Sequence, residues 1–237
     1  MGRFNELVII IPCYNEGRTI GELVKKLQNL SDIIVIDDCS SDNSLKIAES
    51  KGAMVYKNES NLGYHQSLFR GLIIAKVNKY KYCITIDADN QHPIETIPLI
   101  YSYLLDGYSV VHTIRSNLQR PSEQLLSFIS LLLIGIRDPI SGYRGYNLNS
   151  FNLSYLEKQF DIDYIGMNLL VYTILNKLST KIATINISTK FRGDNSRFGI
   201  GIKPNCKIFV VTLRIACLII LNKVTFVKLF LREFINK

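Results

Sequence analysis

Little in this 237-residue chain points to crosslinks, zinc or a dinucleotide. The five cysteines (Cys13, Cys39, Cys83, Cys206 and Cys217) are odd in number and scattered, with no CxxC spacing. That pattern excludes a disulfide framework and a cysteine zinc site, and implies reduced thiols in a cytosolic setting. His65, His92 and His112 share no ligand spacing and read as loop or core residues. No GxGxxG follows any strand-like run, which argues against a dinucleotide dehydrogenase. No apolar run approaches the about 20 residues that a bilayer-spanning helix takes. Residues 125–136 (LLSFISLLLIGI) are too short, and residues 208–221 are broken by Arg214. The opening MGRFNELVIIIPCYNE lacks the apolar core and cleavage site of a signal peptide and reads as a first strand. Glu6 stands where a myristoylation motif needs Ser or Thr.

Acidic residues are scarce at one end only. Residues 177–237 hold twelve Lys/Arg against two acids, whereas residues 1–176 hold sixteen against eighteen, for an overall net charge of +8. A basic segment of this kind suits nucleic acid, anionic lipid or a phosphorylated substrate. Nucleic acid is disfavoured, because the basic quarter is aliphatic and lacks aromatic-basic interleaving. The hydrophobic fraction of 47% is enough for one full core.

Three early apolar runs share a design. Leu7 to Ile11 ends in Pro12-Cys13-Tyr14-Asn15-Glu16, Ile33 to Ile36 in Asp37-Asp38, and Tyr82 to Ile86 in Asp87-Ala88-Asp89. Short, continuous β-branched runs suit strands buried on both faces of a parallel sheet. Between them, Ile20, Leu23, Val24, Leu27 and Leu30 have the spacing of an amphipathic helix. A second helix is expected from Ser41–Ser44, where short polar residues can cap it, towards Ser50. A third follows Asn61-Leu62-Gly63, with Leu68, Leu72 and Ala75 on one side. The alternation predicts a doubly wound α/β sheet, in which ligands bind beyond the carboxyl ends of the strands. The second half is less regular. Residues 125–136 fit a buried helix or a membrane-contacting one equally, residues 138–144 read as a turn with a polar cluster, residues 165–178 as a helix, and Ile182–Ile187 as a strand. Residues 208–221 and 224–235 read as interfacial helices.

The strand-end acids carry the chemistry. Asp87 and Asp89 on one loop can present oxygens to Mg²⁺, which takes one or two protein carboxylates and completes its shell with water and substrate phosphates. Gln91 can add a carbonyl. Asp37 and Asp38 stand where an acid bonds a ribose hydroxyl or a base edge, or caps the following helix with Ser40, Ser41 and Asp42.

In order along the chain, IPCYNE, VIDDCSSDNS, NLGYHQSLFRG, TIDADNQHP and DPISGYRGYN together resemble the nucleotide-sugar glycosyltransferases of family 2. The resemblance spans roughly residues 5–200 and is nearest to the branch that loads sugars onto polyprenyl phosphates. It implies a GT-A fold over residues 1–203, followed by an amphipathic, basic, membrane-associating appendage over 204–237. It implies that Pro12, Tyr14, Asn15 and Glu16 border the nucleotide, and that Asp38 with Asp37 reads base and ribose. Asp87, Asp89 and Gln91 then form an Mg²⁺ or Mn²⁺ site. Ser141 and Arg144 lie near the acceptor, Arg115 contacts phosphate, and Arg192 with Ser196 and Arg197 meets diphosphate and acceptor phosphate.

The implied reaction is inverting transfer from a nucleotide-sugar donor to a polyprenyl phosphate, with the protein peripheral on the cytoplasmic face of a membrane. Saccharide-hydroxyl acceptors would need a general base. The Glu-Asp pair that supplies one in polysaccharide-making relatives is missing here, where residues 161–168 read DIDYIGMN. A phosphate acceptor is already anionic. The alternative, a saccharide acceptor, would require Asp138, Asp161 or Asp163 as base. Two departures concern the acceptor side: Asn168 stands where the family carries a Glu, and Gly193-Asp194 where it carries two glycines.

Overall fold

The computed structural model describes residues 2–118, 120–154, 165–175 and 180–190. A seven-stranded sheet runs in the order β3-β2-β1-β4-β6-β5-β7. Its strands are β1 (Leu7–Cys13), β2 (Asp32–Asp37), β3 (Met54–Lys57), β4 (Tyr82–Thr85), β5 (Val110–Arg115), β6 (Arg144–Asn147) and β7 (Ile182–Ile187). All pairings are parallel except those of β6, which runs antiparallel to both β4 and β5.

The three apolar runs seen in the sequence are the sheet's centre. Leu7 through Ile11 are buried without exception, as a strand covered on both faces requires. Helix α1 (Ile20–Leu27) buries Ile20, Leu23, Val24 and Leu27 along one stripe. It ends a turn before Leu30, whose N–H donates to Leu27 O at 2.9 Å in a closing turn. Helix α2 (Ser44–Ser50) is capped by Asp42, whose Oδ1 accepts from Ser44 N at 2.9 Å. Helix α3 (Tyr64–Val77) follows Gly63, which sits at φ +89°. It buries Leu68, Leu72 and Ala75 against β1 and β2. The approach is close enough that a Cβ on Gly71 would lie 2.5 Å from Ile10 Cγ2. Helix α4 (Ile97–Leu105) packs on β4, β5 and β6.

The chain separates into two compact units, one made of Met1–Ser116 with Ile140–Arg192 and one that includes Asn117–Pro139. In the second unit lies α5 (Pro121–Ile134), which starts with a reciprocal Arg120–Glu123 cap and ends at Gly135 in the left-handed region. Its faces are inverted. Glu123, Ser127 and Ser130 are buried with Leu126, while Leu125, Phe128 and Leu132 are exposed at 47%, 58% and 70%. Of the two readings left open for this run, the fully buried helix is therefore not what forms. Asp138 is buried at φ +49°. The polar turn expected over 138–144 ends earlier, because Arg144 already pairs as β6 with Thr85 and His112. Helix α6 (Ile165–Leu175) is the described part of the expected 165–178 helix. Among the described residues no helix is long and apolar enough to cross a membrane. The expected boundary at 203/204, the helices over 208–235, and Arg192, Ser196, Arg197, Asp161 and Asp163 lie outside the described residues.

Candidate functional site

The sheet reverses direction of growth at β1, with β2 on one side and β4 on the other. The crevice beyond the carboxyl ends at such a switch point is where ligands settle in open α/β sheets. The ends of β1, β2 and β4 all deliver polar residues to that edge.

At the end of β1, Asn15 adopts φ +52°, a conformation that Asn tolerates better than most residues. Its N–H donates to Ser40 Oγ at 2.8 Å, and its Oδ1 accepts from Ser41 N at 2.7 Å and Asp42 N at 3.3 Å. Asn15 thereby ties the β1 end to the loop after β2. Tyr14 beside it is 40% exposed. The Glu16 carboxylate lies 3.2 Å from Thr19 Oγ1, and Pro12 lies within β1 opposite Ile36.

At the end of β2 the two acids part company. Asp38 Oδ1 accepts from Asn58 Nδ2 and Leu62 N, and Oδ2 from Gly63 N, each at 2.8 Å. Asp38 is 4% exposed and so serves as a clamp on the loop before α3. Asn58 is held in turn by Ser67 Oγ at 2.9 Å and by Arg70. Asp37 accepts from Ser40 N at 3.2 Å through Oδ2, while its buried Oδ1 has no hydrogen-bond partner.

The loop after β4 is held from several sides. Ile86 N extends the ladder to Ile10 O at 3.1 Å, and Ala88 O accepts from Thr19 Oγ1 at 2.8 Å. Asn90 turns the chain at φ +59°, and Gln91 N donates back to Asp89 Oδ1 at 3.2 Å. Gln91 Nε2 donates to Lys190 O at 3.1 Å, and Gln91 O accepts from Lys190 N at 2.9 Å. Gln91 thus joins the loop to the segment after β7. Asp87 and Asp89 are both partly exposed. Asp87 Oδ2 meets His92 Nε2 at 3.0 Å, and the His92 ring lies 5.0 Å from that of Tyr143. Burial acts to raise the Asp87 carboxyl, but the hydrogen bond and charge of His92, with Tyr64 and Arg115, outweigh it and hold the carboxyl below its usual range. His92 is therefore a partner of the acidic loop, a role its sequence position left unassigned.

Threonines stitch the Ser141–Arg144 segment to this loop. Thr85 Oγ1 donates to Gly142 O at 2.6 Å, and Thr113 Oγ1 to Tyr143 O at 2.6 Å. Thr113 has spent its proton, so in its 3.0 Å contact with Ser141 the serine hydroxyl is the donor. Arg144 is 2% exposed and donates through Nη1 to Gly166 O, at the first turn of α6. Asn168, also buried, follows in the same turn. Arg115 closes β5 and contributes positive charge at Asp87.

Among the described residues no group of three His, Cys, Asp or Glu can hold a metal by itself. Two partly exposed carboxylates on one rigid loop, with an amide beside them, instead fit a hard cation that draws its remaining ligands from water and a diphosphate.

Several known proteins are similar to this chain. An uncharacterized protein of Methanocaldococcus jannaschii is 30% identical over 158 residues, covering 60% of this chain and 65% of its own length. The undecaprenyl-phosphate 4-deoxy-4-formamido-L-arabinose transferase of Proteus mirabilis is 34% identical over 131 residues, 49% of this chain and 39% of that one. The chain thus spans less than two thirds of either relative. The crystal structure of glucosyl-3-phosphoglycerate synthase from Mycobacterium tuberculosis, in complex with Mn²⁺, UDP and glucosyl-3-phosphoglycerate, superposes with a TM-score of 0.61 at 23% identity, over 80% of this chain and 72% of that one. That likeness establishes the fold as the GT-A fold of glycosyltransferases. Residues 8–161 match the sequence profile of glycosyl transferase family 2, and the chain belongs to that family.

Proposed function

We propose that this chain is an inverting glycosyltransferase that moves a hexose from a nucleoside diphosphate sugar to a polyprenyl phosphate at the cytoplasmic face of a membrane. Mg²⁺ or Mn²⁺ would be held by Asp87 and Asp89. The observation that carries the reading is this pair of carboxylates, fixed on one loop at the carboxyl end of β4 beside the switch point. The name of the Proteus mirabilis relative supports the acceptor class, and the Mn²⁺ and UDP of the mycobacterial synthase complex support the donor chemistry.

Expelling a nucleoside diphosphate from the anomeric carbon builds negative charge on the departing phosphate. The cation, when bound, neutralises that charge as a Lewis acid. Arg115 adds a fixed positive charge from the end of β5, and a preorganised charge costs no reorganisation as the bond breaks. Asn15, Asp38 and their partners keep the loops after β1 and β2 in one conformation, so the nucleotide meets a built edge. The attacking phosphate oxygen is already anionic, so no side chain has to remove a proton. Asp138, the described member of the three candidate bases, is buried. Attack opposite the leaving group inverts the anomeric centre.

Contact with lipid is supported by α5, which points Leu125, Phe128 and Leu132 outward while burying Glu123 and two serines. An apolar stripe on a surface helix suits insertion into the interfacial region of a bilayer. The basic balance of residues 177–237 suits anionic headgroups.

The test is radiolabelled transfer from a panel of GDP- and UDP-sugars into organic-extractable lipid, with the purified chain, polyprenyl phosphate and Mg²⁺. Label in the lipid supports the reading and identifies the donor. Donor binding or hydrolysis without lipid product would move the acceptor to a saccharide hydroxyl.

A further inference from the structure

Tyr64 opens α3 at the edge of the acidic loop, and its hydroxyl is buried without a hydrogen bond of standard geometry. Its neighbours are unusual for a core tyrosine. A Cβ on Gly142 would collide with Tyr64 Oη and lie 2.7 Å from Asp87 Oδ1 and 3.2 Å from Asp87 Oδ2. The phenol, the carboxylate and a bare glycine Cα therefore meet at one point, delivered by α3, the loop after β4 and the turn before β6. His92 takes the Oδ2 side of the same carboxylate at 3.0 Å. Arg144, whose guanidinium reaches Gly166 O, lies near enough to act on the phenol electrostatically.

We propose that Tyr64 is a positioning residue for the cation-binding loop. Its hydroxyl braces the Oδ1 side of Asp87 while His92 holds the Oδ2 side, and Gly142 is a glycine because a side chain there would occupy the space between phenol and carboxylate. The inference rests on the reading of Asp87 and Asp89 as the cation site. Chemistry fixes the direction of the brace. A phenol has one proton to donate, and an ionised carboxylate can only accept. Ligand carboxylates braced by outer polar partners keep one orientation, and losing such a partner costs about 10–100-fold in metal affinity.

The experiment is Mn²⁺ binding followed by electron paramagnetic resonance on the full chain, with Mn²⁺ alone and with Mn²⁺ plus UDP. Wild type, Tyr64→Phe and Asp89→Ala would be compared, each with a thermal melt. Tyr64→Phe removes one oxygen and nothing else. The expected result is a loss of Mn²⁺ affinity of about 10–100-fold at an unchanged Tm, with Asp89→Ala losing more. Wild-type affinity in Tyr64→Phe, with Asp89→Ala impaired, would overturn the inference and leave the cation site standing. A loss of affinity matched by a fall in Tm would reduce Tyr64 to a structural residue. If the wild-type protein bound no Mn²⁺ under either condition, the cation site and the brace would fall together.

Discussion

Asp38 illustrates how a residue's chemistry depends on what the fold has already asked of it. Its two oxygens take one side-chain and two backbone donors from the loop before α3. Asp38→Ala would strand those donors in a buried setting, at about 1–3 kcal/mol for each one left unpaired. A fall in Tm of several degrees is expected, with nucleotide affinity lost only as the loop loosens. An unchanged melt would contradict the clamp. Gly142→Ala is expected to lower sugar transfer sharply, because the new methyl would displace Tyr64 or Asp87. Overpacking of this kind also costs about 1–3 kcal/mol of stability, readable in a denaturant titration. The thiols give a third check. Burial pushes the Cys13 thiol up to about 12 and raises that of Cys83 as well, whereas Cys39 is only half-buried. Thiolate is the reactive form. Native protein treated with a thiol reagent at pH 8 should therefore carry no label on the Cys13 and Cys83 peptides, as read by mass spectrometry.

At the scale of elements, the sheet's centre and its outer strand β7 could be read from the sequence, whereas β3, β5 and β6 could not. Leu7 to Ile11, Ile33 to Ile36 and Tyr82 to Ile86 are continuous apolar runs because both their faces are covered, a signal carried by the segment itself. β3 is a half-exposed edge of four residues, and β6 is built of Arg144, Gly145, Tyr146 and Asn147. Nothing local marks that stretch as a strand; its partners Thr85 and His112, far away in sequence, make it one. The acidic pairs were legible for the same reason as the central strands, since they sit where those runs stop. The roles of His92, Tyr64 and Gly142 depend on three segments meeting at Asp87, so spacing along the chain could not announce them. For α5 the sequence leaves a buried and a membrane-contacting helix equally open, because hydrophobicity alone says nothing about which face turns inward. Its buried Ser127 and Ser130 are used locally, accepting from Asp138 N at 3.1 Å and donating to Ile136 O at 2.7 Å. Replacing Leu125, Phe128 and Leu132 with serine should leave the melt within about 1 kcal/mol of wild type, as exposed positions do. The same variant should float poorly with anionic liposomes. Equal flotation would remove α5 from the membrane contact.

Across the whole molecule, charge and chemistry are divided along the chain. The acids of the proposed cation site lie in the first half, and the surplus of Lys and Arg lies in residues 177–237. A protein of this kind should bind anionic vesicles in a salt-sensitive way, weakening as the ionic strength rises and the screening length shortens. The central claim is that a cation on the loop after β4 drives sugar transfer to a lipid phosphate. The most direct measurement is the appearance of labelled polyprenyl-phosphate sugar with wild type and Asp89→Ala side by side, each before and after chelation and re-addition of Mg²⁺ or Mn²⁺. The account predicts product with wild type, its loss on chelation and return with metal, and a drop of about 100-fold or more in Asp89→Ala, the scale of losing one electrostatic stabiliser. Lipid product that forms at an undiminished rate in Asp89→Ala would contradict it.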